Sequence, residues 1–276
     1  MKTRFSENFI PEYLWNPTYL KFLFSAAFVL YPPMPYVLEQ SIHEIYEERG
    51  WDLTQNINVR TKHDNYFSER LFPTLDDLTE KVKEIVDRMG YEERIKMDVK
   101  AGLLARLDQL RLAGGKGEML NTKKSISTKQ LFEVPCLIEL EEIVSDDEKA
   151  FIIGLILIRL YEHCKIRSKK DNSNSLQHLT LIEEAHRLLK NVSTEQTSDI
   201  AANPKGRAIE VFANILSEIR AYGEGIFISE QIPAKLVPDA IKNTNLKIVH
   251  RLVAKDDRDI IGDTINLTNS QKRYLY

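Results

Sequence analysis

The sequence predicts an α/β protein with a parallel sheet and a separate helical part. Four short apolar runs, each long enough for one strand, alternate with helical patterns, and they occupy residues 134–140, 179–182, 226–229 and 246–252. Strands that alternate with helices in this way build a parallel sheet that helices cover on both faces. Residues 36–112 instead keep helical spacing and show no strand pattern, which indicates a helical subdomain.

The first half of the chain is predicted to be helical, with helices near residues 20–30, 36–49, 74–89 and 92–112. Gly50 and Gly90 follow two of these helices, and glycine favours the backbone conformation that ends a helix. These patterns divide the chain into a connecting segment at residues 1–35, a helical subdomain at 36–112 and a core at 113–276.

Helices in the second half are predicted at residues 146–167 and 208–222. Ser145 with Glu148, and Thr268 with Gln271, have the spacing of capping boxes, so helices are expected to begin just after Ser145 and Thr268. The polar run at residues 191–207 is predicted to be a loop. Because the last helix is short and no strand precedes the helical subdomain, we expect an incomplete sheet, lacking its first strand.

Composition is that of an ordinary soluble protein, with 43% hydrophobic and 29% charged residues. A formal charge of −3 does not indicate a nucleic-acid-binding surface. The two cysteines, Cys136 and Cys164, are too few for a disulfide framework, so we expect reduced thiols and a cytoplasmic protein. The apolar runs at residues 22–31 and 150–158 are too short to span a bilayer, and we expect no export.

The octapeptide LTLIEEAH at residues 179–186 is the strongest chemical motif in the chain. An apolar strand that ends in two adjacent carboxylates has the form of a Walker B element. One carboxylate holds Mg²⁺, usually through water, and the second polarises the water that attacks the γ-phosphate. The alternative is a strand that ends in a solvated acidic turn, and the octapeptide alone does not decide between the two.

Further segments follow the octapeptide in a fixed order. They are SEIRAYGEGIFISEQIP at residues 217–233 and NTNLKIVHRL at residues 243–252, and FPTL at residues 72–75 and the helix at 146–161 add to them. Together with EEAH at residues 183–186, they closely resemble the HerA branch of the HerA–FtsK superfamily. The resemblance covers most of the chain, and it implies an ASCE-type P-loop NTPase core of RecA-like fold.

The same resemblance implies roles for individual residues. Glu183 matches the Walker B acid that serves the metal, although an aspartate is usual there, and Glu184 matches the catalytic glutamate. Gln231 matches the polar sensor at the end of the next strand, where an amide can hydrogen-bond to the γ-phosphate. Arg220 matches an arginine that serves the neighbouring subunit's nucleotide, and the alternative is a surface arginine paired with Glu218 or Glu224. Arg251 ends the fourth predicted strand, where it is expected to meet phosphate or a neighbour, and the alternative is a structural salt bridge.

A phosphate-binding P-loop is missing from the sequence. Such a loop reads G-x-x-x-x-G-K-[ST] between a strand and a helix. The glycine cluster at residues 113–118 follows a helix instead, and Glu118 stands where Ser or Thr is required. We therefore predict a flexible connecting loop there, and expect the P-loop to lie on a preceding part of the protein or on a separate chain.

The resemblance implies a hexameric ring that binds ATP and Mg²⁺, moves along double-stranded DNA and works with a nuclease or other effector, in some cases in antiviral defence. The chain alone is expected to be inactive. Two alternatives remain. The chain is either a non-catalytic module that binds such a ring or its effector, or part of a nucleotide-dependent scaffold in defence.

Overall fold

The computed structural model describes residues 17–55, 57–62, 72–112, 115–122, 126–170, 175–192 and 204–276. The chain forms two compact units. The first unit comprises Met1–Phe24 and Leu30–Ser127, and the second comprises Ser25–Val29 and Thr128–Tyr276. These two units are groups of residues that pack together, and they do not test the three-part division predicted from the sequence, which stays a prediction.

Helices dominate the first unit, as the sequence predicts. They are α1 (Pro17–Ala27, which runs on into the second unit), α2 (Met34–Glu48), α3 (Leu75–Arg88), α4 (Glu93–Arg111) and α5 (Gly115–Leu120). Buried aliphatic residues at helical spacing join α2, α3 and α4, among them Leu38, Ile42, Val82, Ile85, Leu103 and Leu107. The sequence did not predict the short antiparallel hairpin of β1 (Trp51–Asp52) and β2 (Ile57–Asn58).

The start of α3 is set by a capping box, which confirms the predicted helix start after Thr74. The Thr74 hydroxyl accepts a hydrogen bond from the Asp77 amide, and the Asp77 carboxylate accepts one from the Thr74 amide at 2.8 Å. Each bond satisfies a backbone group that the first helical turn leaves unpaired. The capping box predicted near the other end of the chain, between Thr268 and Gln271, is confirmed in the same way.

The second unit contains the parallel strands of the chain. Its elements are α6 (Thr128–Phe132), α7 (Asp146–Lys170), β3 (His178–Glu183), α8 (Pro204–Glu218), β4 (Glu224–Ser229), α9 (Pro238–Lys242), α10 (Lys255–Thr264) and α11 (Asn269–Lys272). β3 and β4 pair in parallel over their whole length, from His178 opposite Glu224 to Glu183 opposite Ser229. A fold in which a helix connects two parallel strands is what the alternating pattern predicts.

Two of the four predicted strands are not formed in the described part of the chain. Residues 134–140 and 246–252 carry no strand pairing, and Leu137, Leu246 and Ile248 are exposed. An apolar run becomes a strand only where a neighbour satisfies its backbone hydrogen bonds. Pro135 also removes one backbone donor from the first run.

Among the described residues, helices cover one face of the β3–β4 pair and leave the other uncovered, whereas the sequence predicts helices on both faces. Side chains alternate along each strand, so Leu179, Leu181 and Phe227 share one face, with Leu181 directly opposite Phe227. Leu181 is 64% exposed and Phe227 is 51% exposed. On the other face, Cys164 and Arg167 of α7 approach Glu224.

The helices of the second unit bury a conventional apolar core, with Phe212, Ile158 and Leu160 among its largest fully buried side chains. The predicted helix at 208–222 begins earlier, at Pro204, and its last residues form a 3-10 turn, Ile219–Tyr222. Part of the predicted loop at 191–207 is therefore helical, and residues 193–203 lie outside the described residues. Across the described ranges, no helix is both long and apolar enough to cross a membrane.

Candidate functional site

The candidate site lies at the carboxyl ends of β3 and β4. Glu183 is the last residue of β3 and lies opposite Ser229, the last residue of β4. The Glu184 amide donates a hydrogen bond to the Ser229 carbonyl at 3.1 Å, so the two chain segments stay paired one step beyond the strands. Because the strands are parallel, their carboxyl ends form one edge, where ligands of open parallel sheets bind.

Glu184 has a left-handed backbone, with φ 50° and ψ 44°. A residue other than glycine is rarely found there, and such conformations concentrate at functional sites. The conformation turns the chain from β3 into a short 3-10 turn, Ala185–Arg187, that buries Ala185. As a result, Glu184 lies at the carboxyl edge of the sheet, and its side chain is 49% exposed.

Arg187 holds the Glu184 carboxylate. Its Nε and its Nη2 lie 2.8 Å and 2.7 Å from the Oε2 atom of Glu184. The same guanidinium also pairs with Asp146 at the start of α7. Hydrogen bonding and the positive charge of Arg187 together lower the pKa of Glu184, which is therefore a carboxylate at neutral pH.

The Glu183 side chain is exposed and makes no hydrogen bond or ion pair with another residue that the structure describes. By strand alternation it shares the open face of the sheet with Leu181. Mg²⁺ takes oxygen ligands, keeps several waters and needs only one or two protein carboxylates, so Glu183 fits as a single ligand. Within the described ranges, no group of three or more His, Cys, Asp or Glu side chains could hold a metal ion by itself.

Gln231 lies two residues beyond β4, at the same edge as Glu184. Its side chain is exposed, and its backbone amide donates to the Glu230 carboxylate at 2.9 Å. The structure therefore brings the predicted metal ligand, base and sensor to one edge of the β3–β4 pair. Their catalytic roles stay predictions.

Glu230 is a residue of this edge that the sequence analysis missed. Its carboxylate accepts hydrogen bonds from the His186 ring at 2.8 Å and from the His186 amide at 3.3 Å. It also accepts from the amides of Gln231 and Ile232. The sequence signal was an acid placed directly after an apolar strand and before Gln231, the same signal that identified Glu183.

Arg220 lies at the other edge of the sheet. It belongs to the 3-10 turn that precedes β4, and its carbonyl accepts from the Gly223 amide at 3.2 Å. β4 is six residues long, or about 20 Å at roughly 3.3 Å per residue, so Arg220 cannot reach Glu184 of its own chain. The alternative pairing with Glu218 or Glu224 is not formed, because Glu218 bonds to Tyr161 and Glu224 faces Arg167.

Arg251 stacks on an aromatic ring. Its guanidinium carbon lies 4.5 Å from the centre of the Tyr276 ring, and Arg258 approaches the same ring. The segment that carries Arg251 is not a strand, contrary to the prediction. No described contact joins Arg251 to Glu183 or Glu184, so its nucleotide-binding role stays a prediction.

The glycine cluster at residues 113–118 does not form the predicted connecting loop in its described part. Gly115–Leu120 is the helix α5, which directly follows α4, and residues 113 and 114 lie outside the described residues. A phosphate-binding loop needs a strand before it, because the strand aims the loop's amides at the phosphates. This cluster therefore lacks the context of a phosphate site.

No protein-family profile matches the chain, and no curated protein matches it. Among solved structures, the chain is similar to VirB4 of Thermoanaerobacter pseudethanolicus, with a TM-score of 0.54 and 15% sequence identity. The alignment covers 94% of this chain, which spans 62% of the length of that VirB4 chain. The similarity supports a P-loop NTPase-like fold. The described residues of this chain do not form a complete core of that fold. Membership of the HerA branch stays a prediction.

Proposed function

We propose that this chain is the water-activating and sensing half of a P-loop ATPase. The observation that carries the proposal is the meeting of Glu183, Glu184 and Gln231 at the carboxyl edge of two parallel strands in register. ATP hydrolysis needs a metal ligand, a base for water and a polar group at the γ-phosphate, and these three side chains are of the right chemical types.

Each of the three residues has a distinct role in this proposal. Glu184, ionised at neutral pH, accepts the proton of the attacking water or orients it. Glu183, exposed and without a described side-chain partner, holds Mg²⁺ directly or through water. Mg²⁺ neutralises charge on the phosphates when it is bound. Gln231 reports the γ-phosphate through its exposed amide.

The phosphate-binding loop is supplied from outside these residues in this proposal. The open face of the sheet supports this, because parallel strands are normally buried on both faces, yet Leu179, Leu181 and Phe227 are exposed. The helix that follows a P-loop would cover these side chains, whereas the strand before the P-loop would join the sheet at its edge. That strand would also give the exposed run at residues 246–252 a neighbour to pair with.

The position of Arg220 supports a ring. Arg220 lies about one strand length, roughly 20 Å, from the strand-end carboxylates of its own chain. In this proposal it serves the site of another subunit, where a planar guanidinium stabilises developing phosphoryl charge. We therefore propose a ring of copies, hexameric by resemblance, that translocates double-stranded DNA and works with a nuclease or other effector. The sequence resemblance alone carries the DNA and effector parts.

The test uses this chain together with the part that carries the P-loop, whether that part belongs to the same gene product or to a second chain; this assembly is the full-length ATPase of the experiments below. ATP turnover is measured with and without double-stranded DNA, in the wild type and in Glu184→Gln. We expect turnover that DNA stimulates and that the substitution abolishes, while binding of a fluorescent ATP analogue persists. Movement along DNA is then measured by displacement of a third strand from a triplex. Turnover that is insensitive to Glu184→Gln contradicts the proposal.

A second function, that of a non-catalytic scaffold, is favoured by the Arg187 contact. In this structure the carboxylate of Glu184 is held by Arg187 and does not point freely at the sheet edge. A scaffold would bind its partner equally well in wild type and Glu184→Gln, and would show no turnover. Turnover measured in wild type and Glu184→Gln therefore distinguishes the ATPase from the scaffold.

A further inference from the structure

Two histidine–glutamate pairs lie at the two ends of the β3–β4 pair. At the amino edge, His178 Nδ1 is 2.7 Å from Glu224, and at the carboxyl edge His186 Nδ1 is 2.8 Å from Glu230. The first pair lies near the buried Cys164 and far from the candidate site. The second lies between Glu184 and Gln231. This difference in position makes one pair a natural control for the other.

The Glu230 carboxylate is buried and fully engaged. Its side chain is 6% exposed. Oε2 accepts from the amide and ring of His186, and Oε1 accepts from the amides of Gln231 and Ile232. Hydrogen bonds to an ionised acceptor are stronger than those between neutral groups, and a buried charge needs such partners.

These contacts join two loops that carry candidate catalytic groups. His186 follows Glu184 by two residues in the same turn, and the Gln231 amide is held directly. We propose that Glu230 is a positioning residue that couples the turn of Glu184 to the sensor Gln231, with His186 as its partner. This inference rests on the proposed ATPase function, and it adds that the two groups move together.

The substitution Glu230→Gln tests the coupling with little change of shape. The glutamine oxygen still accepts from the amides of Gln231 and Ile232, but its NH₂ group cannot accept from the His186 amide. The link to the Glu184 turn then loses its backbone hydrogen bond and its charge, and keeps at most a ring contact in which the NH₂ group donates to an unprotonated Nδ1. In the full-length ATPase we expect kcat to fall roughly 10- to 100-fold, as for lost supporting contacts and misplaced catalytic groups. KM for ATP should not change, because Glu230 does not contact the nucleotide in this proposal.

His186→Ala removes the ring contact and keeps the backbone amide that donates to Glu230, and a double-mutant cycle compares it with Glu230→Gln. If the two residues act as one unit, the double variant loses no more kcat than either single variant. The control is His178→Ala, which breaks the equivalent contact with Glu224 at the amino edge and should leave kcat unchanged. Thermal unfolding of each variant separates a lost catalytic contact from a general loss of stability.

A spectroscopic measurement on this chain gives an answer that does not depend on turnover. In an amide NMR spectrum, His186→Ala should shift the Gln231 and Ile232 signals, although these residues lie more than forty positions away in sequence, whereas His178→Ala should not. Unmoved signals overturn the inference. Additive effects of Glu230→Gln and His186→Ala on kcat also overturn it. The same holds if kcat falls as much in His178→Ala as in His186→Ala. If the wild-type protein has no turnover, the proposed function fails, and the NMR result alone decides whether the loops are coupled.

Discussion

Glu184 and Arg187 form an ion pair across one 3-10 turn, in which two guanidinium nitrogens contact one carboxylate oxygen at 2.8 Å and 2.7 Å. The pair lowers the pKa of Glu184, first through the hydrogen bonds and then through charge. A weaker base that is tied to a neighbour is a poor activator of water. The structure therefore has Glu184 in an engaged state, which must open before the residue can serve catalysis as proposed.

Replacing Arg187 by Met is expected to raise the pKa of Glu184 towards that of an ordinary glutamate, because both the hydrogen bonds and the charge are lost. Carbon-detected NMR of the Glu184 carboxyl during a pH titration measures this change. Asp146→Asn, which removes the other partner of Arg187, is the control and should leave the contact with Glu184 in place. An unchanged Glu184 pKa in Arg187→Met would contradict the assigned cause.

The same pair makes a pH-dependent contribution to stability. A carboxylate whose pKa is lower in the folded protein stabilises the fold above its unfolded pKa, and this contribution is lost as the pH falls through the folded pKa. The difference in unfolding free energy between wild type and Arg187→Met should therefore be present at neutral pH and shrink in acid. Urea unfolding at a series of pH values measures it. The effect should be small, since both side chains reach solvent.

The chain alone is expected not to hydrolyse ATP, because the backbone amides and lysine of a P-loop supply most of the contacts to phosphate. Phosphate release by the purified chain measures this. The matched control is Glu184→Gln. Turnover that disappears in the control would show that the chain holds a complete site, whereas turnover that persists in it would point to a contaminating enzyme.

Glu183 and Glu184 are expected to differ in the full-length protein. Glu184→Gln should block turnover and leave nucleotide binding intact, because it removes the base and keeps the metal ligand. Glu183→Ala should also weaken binding of ATP in the presence of Mg²⁺, with less effect when Mg²⁺ is replaced by EDTA. Equal effects of both substitutions on binding and turnover would show that the two carboxylates do not have separate roles.

Arg220 is expected to act between subunits, because it lies at the edge of the sheet opposite to Glu184. Arg220→Ala and Glu184→Gln subunits should each be nearly inactive alone, since arginine fingers contribute roughly 10³–10⁵ in rate in well-studied GTPases. Mixed rings contain some interfaces with both groups intact, so activity should partly return on mixing. Failure to recover activity in rings shown to be mixed would exclude a role in trans.

The two thiols are expected to react differently. Cys136 is exposed, whereas Cys164 is buried beside Glu224, and its pKa is raised to about 12, mainly by burial. A thiol with so high a pKa has almost no reactive thiolate at about pH 8. Ellman's reagent should therefore label one thiol in the folded chain and two after denaturation. Cys136→Ser should abolish the fast reaction, and Cys164→Ala should leave it unchanged.

Much of the local structure follows from the sequence because its causes are local. Thr74 and Asp77 satisfy each other's backbone groups within one helical turn, and Thr268 and Gln271 do the same, so both helix starts could be predicted from spacing. The β3 and β4 runs and the acid pair at the end of β3 could be found in the same way. The helix α5 was missed, because its glycines favour a loop when considered alone.

What the sequence by itself determined is thus the order of α1 to α4, α7, α8 and α11, the two paired strands and the identity of Glu183, Glu184 and Gln231 as candidates. Only the tertiary structure decided which groups meet. The parallel register brings Glu230 beside His186 and puts Arg220 at the far edge, and both depend on residues more than thirty positions apart in sequence. The runs at 134–140 and 246–252 show the same limit, since a strand exists only where a neighbouring chain segment supplies its hydrogen bonds.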